Sequence, residues 1–279
     1  MVKLRIHTEA ELKHVEDMIN DLDDAAVIAE ILIRDYNVDK ELTDYLIEIG
    51  GTGKVREFWH ECLKYDLLNG TRTTSYISED TYKQRAAASP GEFDAPEAAI
   101  HGVKHRPSLT SSIVDPFTRA HRLLQRHGLS AENATVFDLG CGEGKPVLIA
   151  RSGQLGFQFK KAVGIDYYGP VLETARQNAK TMGLTNVEFK RFNAADFETF
   201  NGINVIYMYN PFDESIMRAV AKNIRAKAGT AIVCYTKPLH ADCFSSRYGW
   251  KQHNDLVIGT QSDNPAEQDR HTMFFSRNL

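Results

Sequence analysis

The chain has 279 residues, 42% of them hydrophobic and 25% charged, with a formal net charge of −4, which fits one large domain or a core of roughly 150–200 residues with an added piece. The acidic balance gives no global electrostatic case for nucleic acid, whose binders carry a basic surface, and Cys62, Cys141, Cys234 and Cys243 form no C-x-x-C pair, which argues against a zinc site or a disulfide framework. The first residues run into a charged segment rather than an apolar signal core, and no run approaches the ~18 apolar residues of a membrane span, so a cytoplasmic protein is expected.

Residues 1–68 read as a helical amino-terminal appendage of three or four helices. Thr8 and Glu11 have capping-box spacing, and Val27, Ile28, Ile31, Leu32 and Ile33 recur at three- and four-residue intervals. A helix from Asp39 to Ile49 is interrupted by Gly50 and Gly51, and Thr52 is placed to cap the next, which carries Phe58, Trp59 and Leu63. The segment is acidic. It serves either as a packing or homodimerisation surface or as a lid over a cleft. Residues 69–112 are polar and rich in turn formers, and read as an irregular connector or lid; long connectors of this kind inside a protein are usually functional or disordered, and partial ordering over the active site is expected.

From residue 113 to 279 strands alternate with helices. A helix through Phe117, Ala120, Leu123 and Leu124 precedes a strand from Thr135 to Leu139, and a second strand ends at Asp166. A helix runs from about Pro170 to Met182, with proline suited to the first turn. Strands follow at Val187 to Phe192, Ile203 to Tyr209 and Thr230 to Tyr235, with a helix from Glu214 to Ala226 between the last two; Trp250 to Ile258 and His271 to Phe275 read as a terminal hairpin. This order implies an α/β, doubly wound, Rossmann-like sheet, parallel in its main body.

The most informative stretch is Val136 to Lys145: an apolar strand ending in Asp138, then glycines at 140, 142 and 144, then a helix start. About 25 residues on, a second strand ends in Asp166, where a carboxylate can accept from both hydroxyls of a ribose. A dinucleotide site more often has G-x-G-x-x-G, and Asp138 would repel a pyrophosphate but suits an ammonium group. Asp-x-Gly-x-Gly-x-Gly followed by the acidic strand end resembles class I S-adenosylmethionine-dependent methyltransferases. The resemblance implies a seven-stranded sheet with an antiparallel terminal hairpin, and S-adenosylmethionine as cofactor. It further implies that Asp138 and the loop Gly140, Cys141, Gly142 and Gly144 hold the methionine moiety. Asp166 would hold the ribose and Asp196 would accept from the adenine exocyclic amine, with Phe197 and Ile165 sandwiching the base and with Tyr167 and Asn193 also among the cofactor-binding residues.

After the fourth strand, Tyr209-Asn210-Pro211-Phe212 resembles the Asn/Asp-Pro-Pro-Tyr/Phe motif of amino-group methyltransferases, with the second proline missing. There the side-chain amide and a backbone carbonyl accept hydrogen bonds from the attacking nitrogen. Similar Tyr-Asn-Pro-Phe segments occur in a sparsely characterised bacterial methyltransferase group, whose Pro-Ser segment before the core has a counterpart in Arg106-Pro107-Ser108. Asn210, Pro211 and Tyr209 are therefore the expected catalytic residues, Asn210 also touching the cofactor. An Asx-Pro turn capping the next helix, with Asp213 or Asn210 as the cap, is the purely structural alternative. His105 and Tyr76 are further candidate bases if the connector folds over the cleft, and Lys237 and His240 lie on the same sheet edge. His101 and His105 stand four apart, but Gly102 and Pro107 disfavour a helix there and no metal is expected. Cys141 reads as a small residue that fits the loop.

Methyl transfer to a small molecule or a protein side chain is expected, with nitrogen preferred. The alternatives are a protein lysine or other macromolecular methyltransferase, whose acidic helices would attract a basic partner, and a non-catalytic S-adenosylmethionine-binding regulator or partner subunit. Nucleic acid is disfavoured, since no basic–aromatic stripe is present.

Overall fold

The computed structural model describes residues 6, 8–96, 105–197, 202, 204–260 and 269–279. The chain divides into two units, Met1–Ile77 with His105–Thr110 and Ser78–Lys104 with Ser111–Leu279.

In the first unit, helices α1 (Glu9–Asp21), α2 (Ala25–Tyr36) and α3 (Lys40–Phe58) each start on an oxygen-bearing cap, Thr8, Asp24 and Asp39, whose side chains accept first-turn backbone N–H groups. Asn37, in the left-handed region at φ 56°, ends α2. At Gly50 and Gly51 the backbone of α3 leaves helical geometry, as the sequence predicts. Thr52 does not cap the second half of α3; its hydroxyl donates to the Asp23 carbonyl at 3.0 Å. The chain continues through a wide π-turn, Trp59–Leu63, into α4 (Lys64–Asn69). Val15, Ile19, Ile28, Leu32, Leu42, Val55 and Trp59 form the core of this unit. The Arg56 guanidinium donates to the carbonyls of Ile19, Asn20 and Leu22, at the carbonyl-rich end of α1.

Residues 69–112 differ from the sequence reading. They are not irregular throughout: α5 (Glu79–Ala88) starts on the Ser78 cap and is followed by a 3₁₀ turn, Pro90–Glu92. Nor do they form one segment. The buried carboxylate of Asp66 accepts from the Thr71 and Thr73 hydroxyls and the Thr73 N–H, which ties the start of the connector to the helical unit. Residues 78–96 instead belong with the sheet. The expected boundaries at 68/69 and 112/113 thus fall elsewhere.

The second unit is built on seven strands: β1 (Thr135–Leu139), β2 (Lys161–Asp166), β3 (Val187–Arg191), β4 (Val205–Tyr209), β5 (Ala231–Thr236), β6 (Lys251–Gln252) and β7 (Thr272–Arg277). Their order is β3-β2-β1-β4-β5-β7-β6, with β7 antiparallel to both β5 and β6. Helices α6 (Ser111–Arg126), α7 (Lys145–Ser152), α8 (Gly169–Thr181) and α9 (Glu214–Lys227) complete the α/β alternation. Both faces are covered around β1, β2, β4 and β5, which read as nearly continuous apolar runs, while β3 at the edge carries the half-buried or exposed charges Glu188, Lys190 and Arg191. Phe137, Leu139, Ile165, Ile206, Met208, Val233 and Tyr235 face one core with Met217, Val220 and Ile224 of α9. On the other face the Tyr207 ring packs edge-on to Phe117 of α6 at 5.4 Å, and its hydroxyl donates to the Ser112 carbonyl at 2.9 Å. The terminal hairpin is present, but its first arm is short. After two residues of β6, His253 turns inward, buried and bonded to the Ser276 hydroxyl at 2.7 Å, and a 3₁₀ turn, Asn254–Leu256, replaces the strand.

Candidate cofactor and acceptor site

Strand order reverses between β1, with β2 and β3 on one side, and β4 on the other; in open α/β sheets ligands sit beyond the carboxyl ends of the strands at such a point. Asp138 belongs to β1, Asp166 ends β2 and Asn210 follows β4, so the fold brings the expected residues to one edge.

The loop after β1 is held from within. The N–H groups of Gly140 and Cys141 both donate to the Ile165 carbonyl, at 3.0 and 2.9 Å, and Gly142 N–H donates to Asp166 Oδ2 at 3.0 Å. Asn178, a polar residue on the apolar face of α8, donates its side-chain amide to the Glu143 carbonyl at 3.1 Å. Amides that would cradle a pyrophosphate are thus engaged inside the protein, as expected for a loop that does not bind one. Gly140 and Gly144 have φ of 76° and 88°, and a Cβ on them would lie 2.6 Å from Pro211 Cβ and 2.7 Å from Phe189 Cε1. Both need to be glycine on conformation and on space. The first contact also presses the glycine loop against the Asn210-Pro211 turn, joining the two expected halves of the site.

Asp138 is 2% exposed, and its Oδ2 has no hydrogen-bond partner among the described residues. Burial first, and the nearby Asp166 second, push its carboxyl well above the usual carboxylate range. A buried acid with an open oxygen fits an ammonium group, so the residues present suit the methionine end of S-adenosylmethionine. Asp166 is more occupied than the sequence suggests: Oδ1 accepts the Tyr168 N–H and Oδ2 the Gly142 N–H, both at 3.0 Å. It staples the loop to the β2–α8 turn, and a carboxylate still has further lone pairs for a ribose. Cys141 is buried and its thiol is pushed well up, chiefly by burial, which leaves it a packing residue.

On the adenine side, Asn193 Nδ2 donates to Asp196 Oδ2 at 2.8 Å, with Asp196 exposed. Ile165 does not present a face for a base: it is fully buried in the α9-side core, in the same cluster as Phe197, whose ring lies 4.8 Å from Phe137. The aromatic surface at this edge is Phe192, 38% exposed and 5.5 Å from Phe197, together with the half-buried Tyr167.

A strap that the sequence did not place crosses this edge. From α5 to Asp94 the chain lies over the ends of β2 and β3: Phe93 forms a bridge with Tyr168, Asp94 N–H donates to the Tyr167 carbonyl at 2.8 Å, and Asp94 Oδ2 accepts the Asn193 N–H at 2.6 Å. Arg191 donates to the Gly91 carbonyl at 2.7 Å and Arg85 to the Tyr168 hydroxyl at 3.0 Å. Phe93 stacks on Tyr168 with centroids 4.6 Å apart, and Tyr82 lies 5.9 Å from Tyr167. Tyr82 is buried, and its phenol is pushed well up by burial and then by the Asp166 charge. Two buried aromatics within a polar, turn-rich segment were the only signal for it.

Asn210 is a non-glycine residue at φ 34°, a left-handed conformation that asparagine tolerates better than most and that often marks functional sites. Its N–H donates to the Thr236 carbonyl at 3.1 Å, and its Oδ1 accepts the Tyr235 hydroxyl at 3.0 Å. The helix cap of α9 is Asp213, which accepts from Ile216 N–H, one of the two caps that the structural alternative offered; Asn210 is not the cap. Tyr209 is the last residue of β4, paired with Thr236. Tyr76 and His105 fall in the helical unit, where Tyr76 stacks on Tyr45 at 5.3 Å and His105 pairs with Ile77. Lys237 Nζ is ion-paired with Asp269 at 3.2 Å, and the His240 N–H donates to the Tyr235 hydroxyl oxygen at 3.4 Å. His101 lies outside the described residues.

Residues 130–263 match a family model described as a methyltransferase domain. The chain carries a methyltransferase domain. Among solved structures, this methyltransferase is similar to an rRNA methylase from Streptococcus thermophilus, with 12% identity over 58% of this chain and 94% of the other and a TM-score of 0.41. It is also similar to an RNA methyltransferase from Salinibacter ruber in complex with S-adenosyl-L-homocysteine, with 16% identity over 57% and 88% of the two chains and a TM-score of 0.37. A comparison with curated proteins returned no match.

Proposed function

We propose that this methyltransferase methylates a nitrogen nucleophile of a small molecule or a protein side chain, held by Asn210. The observation that carries the reading is the Asn210-Pro211 turn, set against the glycine loop at Gly140 and strained at φ 34°. When bound, S-adenosylmethionine supplies an electrophilic sulfonium methyl, so the protein has mainly to align an attacking atom in line with it. Asn210 offers an amide oxygen and a backbone carbonyl as acceptors for the N–H groups of an amine, which favours its neutral, nucleophilic form. Tyr235 and the His240 N–H fix the amide: the His240 N–H donates to the phenol oxygen, so the phenol donates onward to Asn210 Oδ1.

The test is transfer of labelled methyl from S-adenosylmethionine into panels of amines and of peptides, with Asn210→Ala alongside. Transfer to nitrogen that is lost in Asn210→Ala while S-adenosylhomocysteine still binds supports the reading. Products methylated on oxygen or carbon, or full activity in the variant, would exclude it.

A further inference from the structure

A second concavity lies along α9, lined by none of the residues expected to hold the cofactor. Lys251 of β6 is level with Ser276, which pairs with Ile232 near the start of β5, so Trp250 sits at the amino-terminal end of the parallel strands. Between α9 and the segment leading to Trp250 is a cavity of about 180 Å³, lined by Arg218, Lys222, Arg225, Cys243, Tyr248 and Trp250. The three cations stand at i, i+4 and i+7, on one helix face.

The charge balance is unusual for a chain of net charge −4. Arg218 is neutralised, paired with Glu214 and, at 2.9 Å, with Asp242. Lys222 is exposed and, with Arg225, has no carboxylate partner among the described residues. Arg225 and Arg247 both lie over the Tyr248 ring, at 5.4 and 5.7 Å. Three cations therefore line the cavity against two carboxylates, both of them held by Arg218, with Arg247 close behind on Tyr248, and clefts with a single excess sign concentrate counter-ions. Trp250, 3% exposed, forms part of the wall, and its indole N–H has no hydrogen-bond partner among the described residues.

We propose that this cavity binds a phosphate monoester with a small organic body. A doubly charged phosphoryl group satisfies several cations at once through its oxygens, and guanidinium groups match its geometry. Tyr248 and Trp250 supply the apolar wall for the rest of the ligand. The site is separate from methyl transfer, and its test does not depend on the acceptor proposed above.

The full chain, saturated with S-adenosylhomocysteine so that the cofactor site is closed, is titrated with phenyl phosphate and with inorganic phosphate while the two tryptophan indole N–H signals are followed by NMR. Trp250→Phe assigns the signals. A saturable shift of the Trp250 signal and not of Trp59 is expected, with phenyl phosphate binding more tightly than phosphate, and with the midpoint raised about tenfold or more in Lys222→Glu. Lys222 is exposed and has no ion pair among the described residues, so this variant keeps its fold. A shift reproduced by sodium chloride at matched ionic strength would overturn the proposal, as would an unchanged midpoint in Lys222→Glu or equal affinity for the two phosphates.

Discussion

Asp138 ties folding without ligand to proton uptake. Its carboxyl is raised by burial and by Asp166, so folding without ligand must protonate a group that is ionised in the unfolded chain. For a raised acid the sign is fixed: stability is fully present below the unfolded value and falls as pH climbs from there towards the folded value, by at most about 1.4 kcal/mol per pH unit. Asp138→Asn should therefore be more stable than the parent without ligand, by a margin that widens from acid to neutral pH in chemical denaturation. It should also lose most of its affinity for S-adenosylhomocysteine, because the partner of the ammonium group has gone. A variant that is equally stable at all pH values would show that the carboxyl titrates normally. Tyr235→Phe isolates the other end of the site. It removes the donor to Asn210 Oδ1 and leaves the geometry of the glycine loop intact. A fall in kcat of roughly tenfold is expected, in line with one buried hydrogen bond, with S-adenosylhomocysteine affinity unchanged. A matching loss of both would assign Tyr235 a packing role only.

The strap from α5 to Asp94 is held by a few identifiable bonds, and its loosening should be local. Asp94→Ala deletes the acceptor of the Asn193 N–H, and hydrogen exchange at Asn193 should rise by about tenfold while the Gly142 amide, bonded to Asp166, keeps its protection. Exchange rising across β1 and β2 as well would mean that the strap is part of the global core. Elements of this kind mark where the sequence is legible. Strands β1, β2, β4 and β5 could be read because both their faces are buried, and α1 because Thr8 supplies a visible cap. Asp138, the glycines and Asp166 could be read because their spacing is local. The strap could not: Tyr82 and Phe93 gain meaning only from Tyr167 and Tyr168, some 75 to 85 residues later. Tyr235 looked like an ordinary strand residue, since nothing local announces that its hydroxyl meets Asn210. The short β6 was missed because His253 occupies a strand-like pattern, and only Ser276 explains why it turns inward.

At the scale of the molecule, each unit has its own hydrophobic core and its own tryptophan: Trp59 among the helices, fully buried, and Trp250 beside α9. The two rings are therefore natural reporters of two cores. A ligand stabilises the cooperative unit that binds it, by about 2.7 kcal/mol at a hundredfold excess over its dissociation constant. The residues that suit S-adenosylmethionine all belong to the sheet unit, as does the strap. With 5-fluorotryptophan in the unmutated chain, fluorine NMR follows both rings through a urea titration without altering either core. We expect two midpoints, with S-adenosylhomocysteine raising that of Trp250 and leaving that of Trp59 in place. If both signals moved together by the same amount, the helices would be part of the folding unit that holds the cofactor. The division at residues 77 and 78 would then describe the path of the chain and not its energetics.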